Sequence, residues 1–422
     1  MENNILREHR SIGKSFKDFQ LGNYPGNFFE LMEDFGKWID DTKEKDVQIY
    51  WINSFGGVKP EMDLSRGKDR KPCISFVSND YLGFSQHPAV ILAGIEGVMK
   101  YGAGACAAPS IGGYLDIHSE LEREIAAFTG QEDALIFSSG FGANCGTLRA
   151  LLGKKDLALI DSFVHNSVLD GLQSTNIKNI GHNNLEYLEL VLKREKDNYN
   201  TKMVIIDGVY SQDGDTSLLP EIQVICEKYG AILYMDDAHG IGVFGNKGRG
   251  LAEYCNMLGK VDIITGTFSK AFGAIGGFVC ASQKIIQYLR HYANTTVYSA
   301  AITPQVTCSI RKALELLQGS QVYKDKLWSN TNYLRARLIE EKFNIGCSVS
   351  PIFPIKINED SKVRKLTRRL LDQGIYVSGI MYPAVRRKDA RLRVSVTAAH
   401  TEEQLEEFVQ VLISLDKEFL IR

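Results

Sequence analysis

The chain has 422 residues, 44% of them hydrophobic, and a formal net charge of −2. It is long enough to bury a large core and to divide into a large and a smaller domain. The charge leaves no electrostatic footprint for nucleic acid, and the apolar runs stop short of membrane-spanning length. Residues Met1 to Arg10 lack the apolar core of a signal peptide. Eight cysteines are scattered without a C-x-x-C pair, and those inside apolar segments, such as Cys226 and Cys280, read as small core residues. The expected setting is the cytoplasm. The histidines are dispersed without ligand spacing, so no metal is expected.

Residues 1–70 are expected to form an arm packed on the body or on a partner subunit. Between Phe28 and Ile39 apolar residues recur at helical spacing and predict an amphipathic helix. The polar stretch Ser65–Pro72 marks a surface connection. A short strand is expected at Ile74–Val77, leading into Ser78–Gly83, and a glycine-rich stretch runs from Tyr101 to Tyr114. Asp116 can cap a helix whose apolar face is Ile117, Leu121, Ile125 and Phe128, stopped by Gly130.

A regular alternation follows. Strands are expected at Ala134–Phe137, Leu157–Ile160, Met203–Ile206, Ala231–Met235 and Val261–Ile264. Helices fall between them: one follows Ser138–Asn144 and reaches Leu151 or Leu152, and another opens at Pro220 and closes at Gly230. This pattern predicts βαβ units and a mostly parallel sheet covered on both faces. After Thr303-Pro304 a long helix is expected to Leu317. Short strands at Ile352–Ile355, Tyr376–Ser378 and Leu392–Val396 then mix with a helix around Leu366–Leu371 and a capped final helix from Thr401. The expected division is an arm over 1–70, a large domain over 71–310 and a smaller C-terminal α+β domain over 311–422.

In such sheets ligands sit at the carboxyl ends of the strands. Those ends carry Ser138, Ser139 and Gly140, then His165, Asp207, Asp236 with His239, and Lys270. Ionisable groups from separate segments would meet on one rim, which core packing does not explain. Lys270 follows Thr267-Phe268-Ser269 and precedes a run of small residues, surroundings that lower an amine's pKa and suit a Schiff-base nucleophile. Taken alone, a structural lysine is the commoner outcome. Ser138–Gly142 is either an ordinary tight turn or, with Thr267 and Ser269 on the same rim, a phosphate cradle at a helix N-terminus. Asp236 is either a helix cap or the partner of a protonated ring nitrogen. His165 is either a satisfied core histidine or a stacking partner for a flat cofactor.

At this point the residues carry a resemblance. The segments Ser78–Gly83, Phe137–Phe141, Asp213–Asp215, Met235–Gly240, Gly266–Lys270, Arg391–Ser395 and Ala399–Thr401, in this order, resemble the α-oxoamine synthase family of fold type I pyridoxal-phosphate enzymes. The likeness spans roughly residues 70–415. Gly266–Lys270 and Gly113–His118 resemble the serine palmitoyltransferase branch best. The family implies an α/β fold with a large domain built on a mostly parallel seven-stranded sheet plus a smaller C-terminal α+β domain. It also implies pyridoxal 5′-phosphate as cofactor and a homodimer, in which residues near Val297–Ser299 reach the neighbouring subunit.

Carried over by position, Lys270 would hold the cofactor and move the α-proton. Asp236 would pair with the ring nitrogen, and His239, helped by Ser211, would bond the phenolic oxygen. His165 would stack on the ring, Gly140, Phe141 and Thr267 would hold the phosphate, and Asp207 would line the same site. Asn79 and Arg393 would bind the substrate carboxylate. The implied reaction condenses an amino acid, serine or a relative such as cysteate, with a long-chain acyl thioester on coenzyme A or an acyl carrier protein. Carbon dioxide leaves, and an α-aminoketone of the 3-ketosphinganine type, a step of sphingolipid biosynthesis, is the expected product.

The chain departs from the family at Ala107-Ala108-Pro109, where members usually carry Gly-Ser-Arg or Gly-Thr-Arg, and its arm is longer than in compact bacterial members. Other branches remain open: 8-amino-7-oxononanoate synthase, 2-amino-3-ketobutyrate ligase and, further off, an aminotransferase. A non-catalytic partner subunit would lack the lysine, whereas Lys270, Asp236, His239 and His165 are all present. Contact with a membrane surface would suit a long-chain product, though no segment demands it.

Overall fold

The computed structural model describes residues 14–45, 48–66 and 69–422. The described chain divides into two compact units. One comprises the residues up to Ser78 with Ser329–Val396 and His400–Arg422, the other Asn79–Trp328 with Thr397–Ala399.

The first unit begins with the expected amphipathic helix, Phe28–Glu44. The Asn27 side chain accepts from the Phe29 and Glu30 N–H groups, and Glu30 reaches back to the Asn27 N–H at 3.0 Å, a reciprocal cap that fixes where the helix starts. Its inner face sets Leu31 and Trp38 against Phe19. Strands β1 (Ser54–Phe55), β2 (Glu61–Arg66) and β3 (Asp69–Ser75) then pair antiparallel. The stretch Ser65–Pro72, expected as a surface connection, therefore belongs largely to a hairpin, with Gly67 and Lys68 outside the described residues. The first four residues of β3 are exposed, so no apolar alternation announces them. Backbone pairing makes the strand. Of the strand expected at Ile74–Val77, Ile74 and Ser75 belong to the buried end of β3, which stops there.

The second unit holds a sheet of β4 (Asp133–Phe137), β5 (Leu157–Ile160), β6 (Asn176–Asn179), β7 (Lys202–Asp207), β8 (Ile232–Asp236), β9 (Ile263–Thr267) and β10 (Gly277–Ala281), in the order β4-β10-β9-β8-β7-β5-β6. Strand β10 runs antiparallel to both its neighbours, and the other pairings are parallel. Every residue of β5, β7, β9 and β10 is buried. Continuous apolar runs fit this arrangement, because helices cover both faces of a parallel sheet. The carboxyl ends of β4, β5, β7, β8 and β9 consequently share one edge.

Helix Asp116–Thr129 differs in detail from its expected start. Asp116 is the first helical residue, and the preceding turn is closed by His118, whose Nδ1 accepts from the Leu115 N–H at 3.0 Å. Gly130 ends it with φ of 75°, a left-handed position that glycine adopts without a Cβ penalty. Helix Pro88–Tyr101 lies close to helix Pro304–Gly319 through Gly94 and Gly97; a Cβ on Gly97 would sit 3.0 Å from the Pro304 carbonyl oxygen.

The remaining strands complete the first unit: β11 (Ile352–Lys356), β12 (Ile375–Tyr376), β13 (Ser378–Ile380) and β14 (Arg391–Ser395). They form a sheet β11-β14-β13, while β12 joins β3 in parallel. Helices Asp360–Asp372 and Glu402–Phe419 supply Leu366, Leu370, Leu405 and Phe408 to a core shared with Phe353 and Leu392. Thr401 and Gln404 make the capping box of the last helix. Among the described residues no helix is long and apolar enough to cross a membrane, and no His/Cys/Asp/Glu group could hold a metal ion.

Because a Cβ on Gly97 would already press on both the Pro304 carbonyl oxygen and Cys308 Sγ at 3.0 Å, Gly97→Leu should destabilise the protein by about 2 kcal/mol through overpacking. The measurement is the midpoint of chemical denaturation against wild type.

Candidate active site

The carboxyl edge of the large sheet opens into a cavity of about 310 Å³, near the lower end of small-molecule sites. It is lined by Gly140, Phe141, His165, Asp207, Ser211, Asp236, His239, Thr267 and Lys270, all of them expected site residues, together with Asn144, Ser167 and Ser269. Side chains and backbone positions from five separate segments thus meet in one place. Asn79 belongs to the same unit and its Oδ1 lies 3.4 Å from the Tyr81 hydroxyl. Arg393 is on β14 in the other unit, where its Nη1 donates to Ser395 Oγ at 2.9 Å.

Each group arrives by a local rule. Ser139 caps helix Gly140–Leu151, its hydroxyl accepting from the Gly142 N–H at 2.9 Å. The first N–H groups of a helix have no acceptor within it, so Gly140 and Phe141 present donors to the cavity. A Cβ on Gly140 would lie 2.9 Å from Thr267 Cβ, and only glycine lets this turn settle against β9. Thr267 donates its hydroxyl to the Gly276 carbonyl at 2.9 Å and lies 2.6 Å from Ser269 Oγ.

Asp236 and Asp207 end adjacent strands in direct register. Burial, then the charge of Asp236, pushes the Asp207 carboxyl well above the usual carboxylate range. Asp236 accepts from Asn144 Nδ2 at 2.6 Å and from the Ala238 N–H at 3.0 Å. The adjacent Asp237 faces the interior: burial pushes it up to about 8, and it accepts from the Leu251 N–H at 2.8 Å. His239 Nδ1 lies 2.7 Å from the Tyr81 hydroxyl. Burial lowers the His165 pKa; the Asp236 charge opposes this, and the Lys270 charge adds to it.

His182 is a neighbour that the sequence did not single out. It stacks on Phe163 with ring centres 4.3 Å apart and lies between Asp161 at 3.0 Å and Asp215 at 2.8 Å. Burial alone would lower its pKa, but hydrogen bonds and charge from the two aspartates outweigh it and push it up to about 10. The imidazolium ties the turn before His165 to the turn after Ser211. The sequence signal was the Asp213–Asp215 motif, whose partner was not visible.

The donor set suits one chemistry. An amine, a carboxylate, an imidazole and a glycine-lined helix terminus with hydroxyls match a small aromatic carbonyl compound that carries a phosphate and a protonatable ring nitrogen. Fold and site together define a fold type I pyridoxal-phosphate enzyme.

Comparison with known proteins agrees. The aminotransferase class I and II family matches residues 71–412. An 8-amino-7-oxononanoate synthase of Alkaliphilus metalliredigens is 41% identical over 350 residues, covering 82% of this chain and 89% of that protein. A serine palmitoyltransferase of Sphingobacterium spiritivorum is 36% identical over 382 residues, covering 90% and 94%. A solved structure of serine palmitoyltransferase with pyridoxal phosphate superposes with a TM-score of 0.88 at 28% identity, over 94% of this chain and 100% of that one. The chain belongs to the α-oxoamine synthase family, whose substrates are an amino acid and an acyl thioester, and its cofactor is pyridoxal phosphate.

The histidine bridge yields a pH-dependent prediction. A pKa raised from 6.5 in the unfolded chain to about 10 in the folded one gives stability that is complete below the unfolded value and lost as pH rises through the folded one. His182→Gln should therefore cost about 3 kcal/mol at neutral pH, and the gap from wild type should close as pH rises through the folded pKa. Denaturation curves across that range are the check.

Proposed function

We propose that the protein condenses serine, or a close relative such as cysteate, with a long-chain acyl thioester, releasing carbon dioxide and an α-aminoketone. The observation that carries this reading is the meeting of Lys270, Asp236, His165 and His239 in one cavity with a glycine-lined helix end. The serine branch is supported by the close fold match to serine palmitoyltransferase. The higher identity to an 8-amino-7-oxononanoate synthase supports a second reading, in which alanine and a dicarboxylic acyl thioester are the substrates.

When bound, pyridoxal phosphate supplies a carbonyl for the substrate amine and a ring that accepts the electron pair released at Cα. The chain does the rest. Lys270 is the amine that holds the cofactor and then takes the α-proton. Asp236 would pair with positive charge at the ring nitrogen, and His165 would stack on the ring. His239, oriented by Tyr81, bonds the phenolic oxygen with Ser211. The N–H groups of Gly140 and Phe141 would hold the phosphate, with the Thr267 hydroxyl turning its one hydrogen from the Gly276 carbonyl to the phosphate. Asn79 and Arg393 are assigned the substrate carboxylate on their motif positions, Arg for its planar donor fork.

A homodimer belongs to the same proposal. Helix Pro88–Tyr101 exposes Ile91, Leu92, Ile95, Val98 and Met99, an apolar face that a second copy would cover. The double variant I95E/M99E should shift the mass measured by light scattering from dimer to monomer.

The test of function uses protein loaded with pyridoxal phosphate, offered serine, cysteate, glycine or alanine with palmitoyl thioester, and alanine with a dicarboxylic acyl thioester. Carbon dioxide requiring both substrates is expected, greatest with serine or cysteate. Preference for alanine with the dicarboxylic thioester would transfer the function to the second reading. Ketoacid formation without thioester-dependent carbon dioxide would make the protein an aminotransferase. Lys270→Ala should lower the condensation rate on the order of a thousandfold or more.

A further inference from the structure

Asn144 lies on the inner face of helix Gly140–Leu151, 2% exposed. Its amide can make four hydrogen bonds, and all four are present. Oδ1 accepts from the Tyr234 hydroxyl at 2.7 Å and from Thr265 Oγ at 2.8 Å. Nδ2 donates to Asp236 Oδ2 at 2.6 Å and to Ser167 Oγ at 2.9 Å. The two hydroxyls come from the interiors of β8 and β9, one fully buried and the other 1% exposed, and they do not line the cavity. They act from behind. A flipped amide would press its carbonyl against the Asp236 carboxylate, so the network itself fixes which end carries the nitrogen.

The consequences run on to His165. Ser167 Oγ accepts from Asn144, which leaves its own hydrogen for His165 Nδ1, 2.7 Å away. The Ser167 N–H points to the same ring nitrogen at 3.3 Å. Nδ1 is thus an acceptor and the ring proton sits on Nε2. Burial, which disfavours the charged imidazole, acts in the same sense.

We propose that Asn144 is a positioning residue for the reaction: one side chain, locked in orientation by Tyr234 and Thr265, holds the Asp236 carboxylate and, through Ser167, sets the tautomer and orientation of His165. Asp236 and His165 stand on separate segments and are the two groups assigned to the ring nitrogen and the ring face. Asn144 links them to the helix whose first turn is assigned the phosphate. The inference rests on the pyridoxal-phosphate reading of the cavity.

The test compares wild type with N144A, N144D and the double variant Y234F/T265V, all reconstituted with pyridoxal phosphate. Cofactor affinity, the absorption spectrum of the bound cofactor, kcat and KM are measured below the melting point of each variant. N144A should bind the cofactor on the order of tenfold more weakly, the loss of a hydrogen bond to a charged group. Its cofactor band should shift, and kcat should fall more than KM rises. N144D, which sets a second carboxylate against Asp236, should be weaker still. Y234F/T265V should shift the band in the same direction although neither side chain lines the cavity.

Variants that fold, keep wild-type cofactor affinity and spectrum, and lose only melting temperature would make the network merely structural and overturn the proposal. Should the N144 variants fail to fold, the double variant decides by the same readouts. A wild type that takes up no pyridoxal phosphate would instead sink the reading beneath it, an outcome visible before any variant is made.

Discussion

Burying a carboxylate is costly unless donors and charge compensate it, and Asp236 sits at the end of a strand whose core residues are out of water. Its two oxygens take an amide N–H from Asn144 and a backbone N–H from Ala238. Beside it in register, Asp207 accepts from the His165 N–H at 3.4 Å, and burial with the neighbouring carboxylate outweighs that bond and the Lys270 charge and pushes it toward the neutral acid. The two acids are alike in sequence and strand position but differ in environment. Asp236 is the better furnished with donors, which supports the proposal that it, rather than Asp207, pairs with the ring nitrogen.

Much of the surrounding architecture serves that difference. Parallel pairing of β7, β8 and β9 brings three strand ends together, and the antiparallel β10 returns Gly277 to the same edge opposite Thr267. A Cβ on Gly277 would lie 2.5 Å from Gly140 Cα, so glycine at this position lets the helix terminus approach the strand ends. The His182 bridge ties two of the turns that line the cavity. Charge, donors and amine are thereby preset before any ligand arrives, the condition under which electrostatic stabilisation is most effective.

The sequence made much of this legible, for identifiable reasons. Strands β5, β7 and β8 are built on mostly buried apolar runs ending in or just before polar residues, a pattern that carries both the strand and its polar end. Strand β6, Asn-Ile-Lys-Asn at the sheet edge, has three of its four residues exposed and offers no such run. Strand β10 was masked by the glycines that follow Lys270. Lys270, Asp236, His239 and His165 stood out because ionisable groups after apolar strands are rare. Asn144, Tyr234 and Thr265 did not, since each sits among apolar neighbours and the bonds from Tyr234 and Thr265 to Asn144 span 90 and 121 residues of chain. A buried tyrosine in a strand and an asparagine on the inner face of a helix both require partners; that requirement was the available signal.

The central claim is that one lysine in this cavity holds the cofactor. Reduction of the pyridoxal-phosphate-loaded protein with borohydride traps the cofactor on whichever lysine carries it, and peptide mass spectrometry locates the label. A single pyridoxyl adduct on the peptide containing Lys270 is the predicted result. An adduct confined to other lysines, or none in protein that has bound the cofactor, would contradict the account.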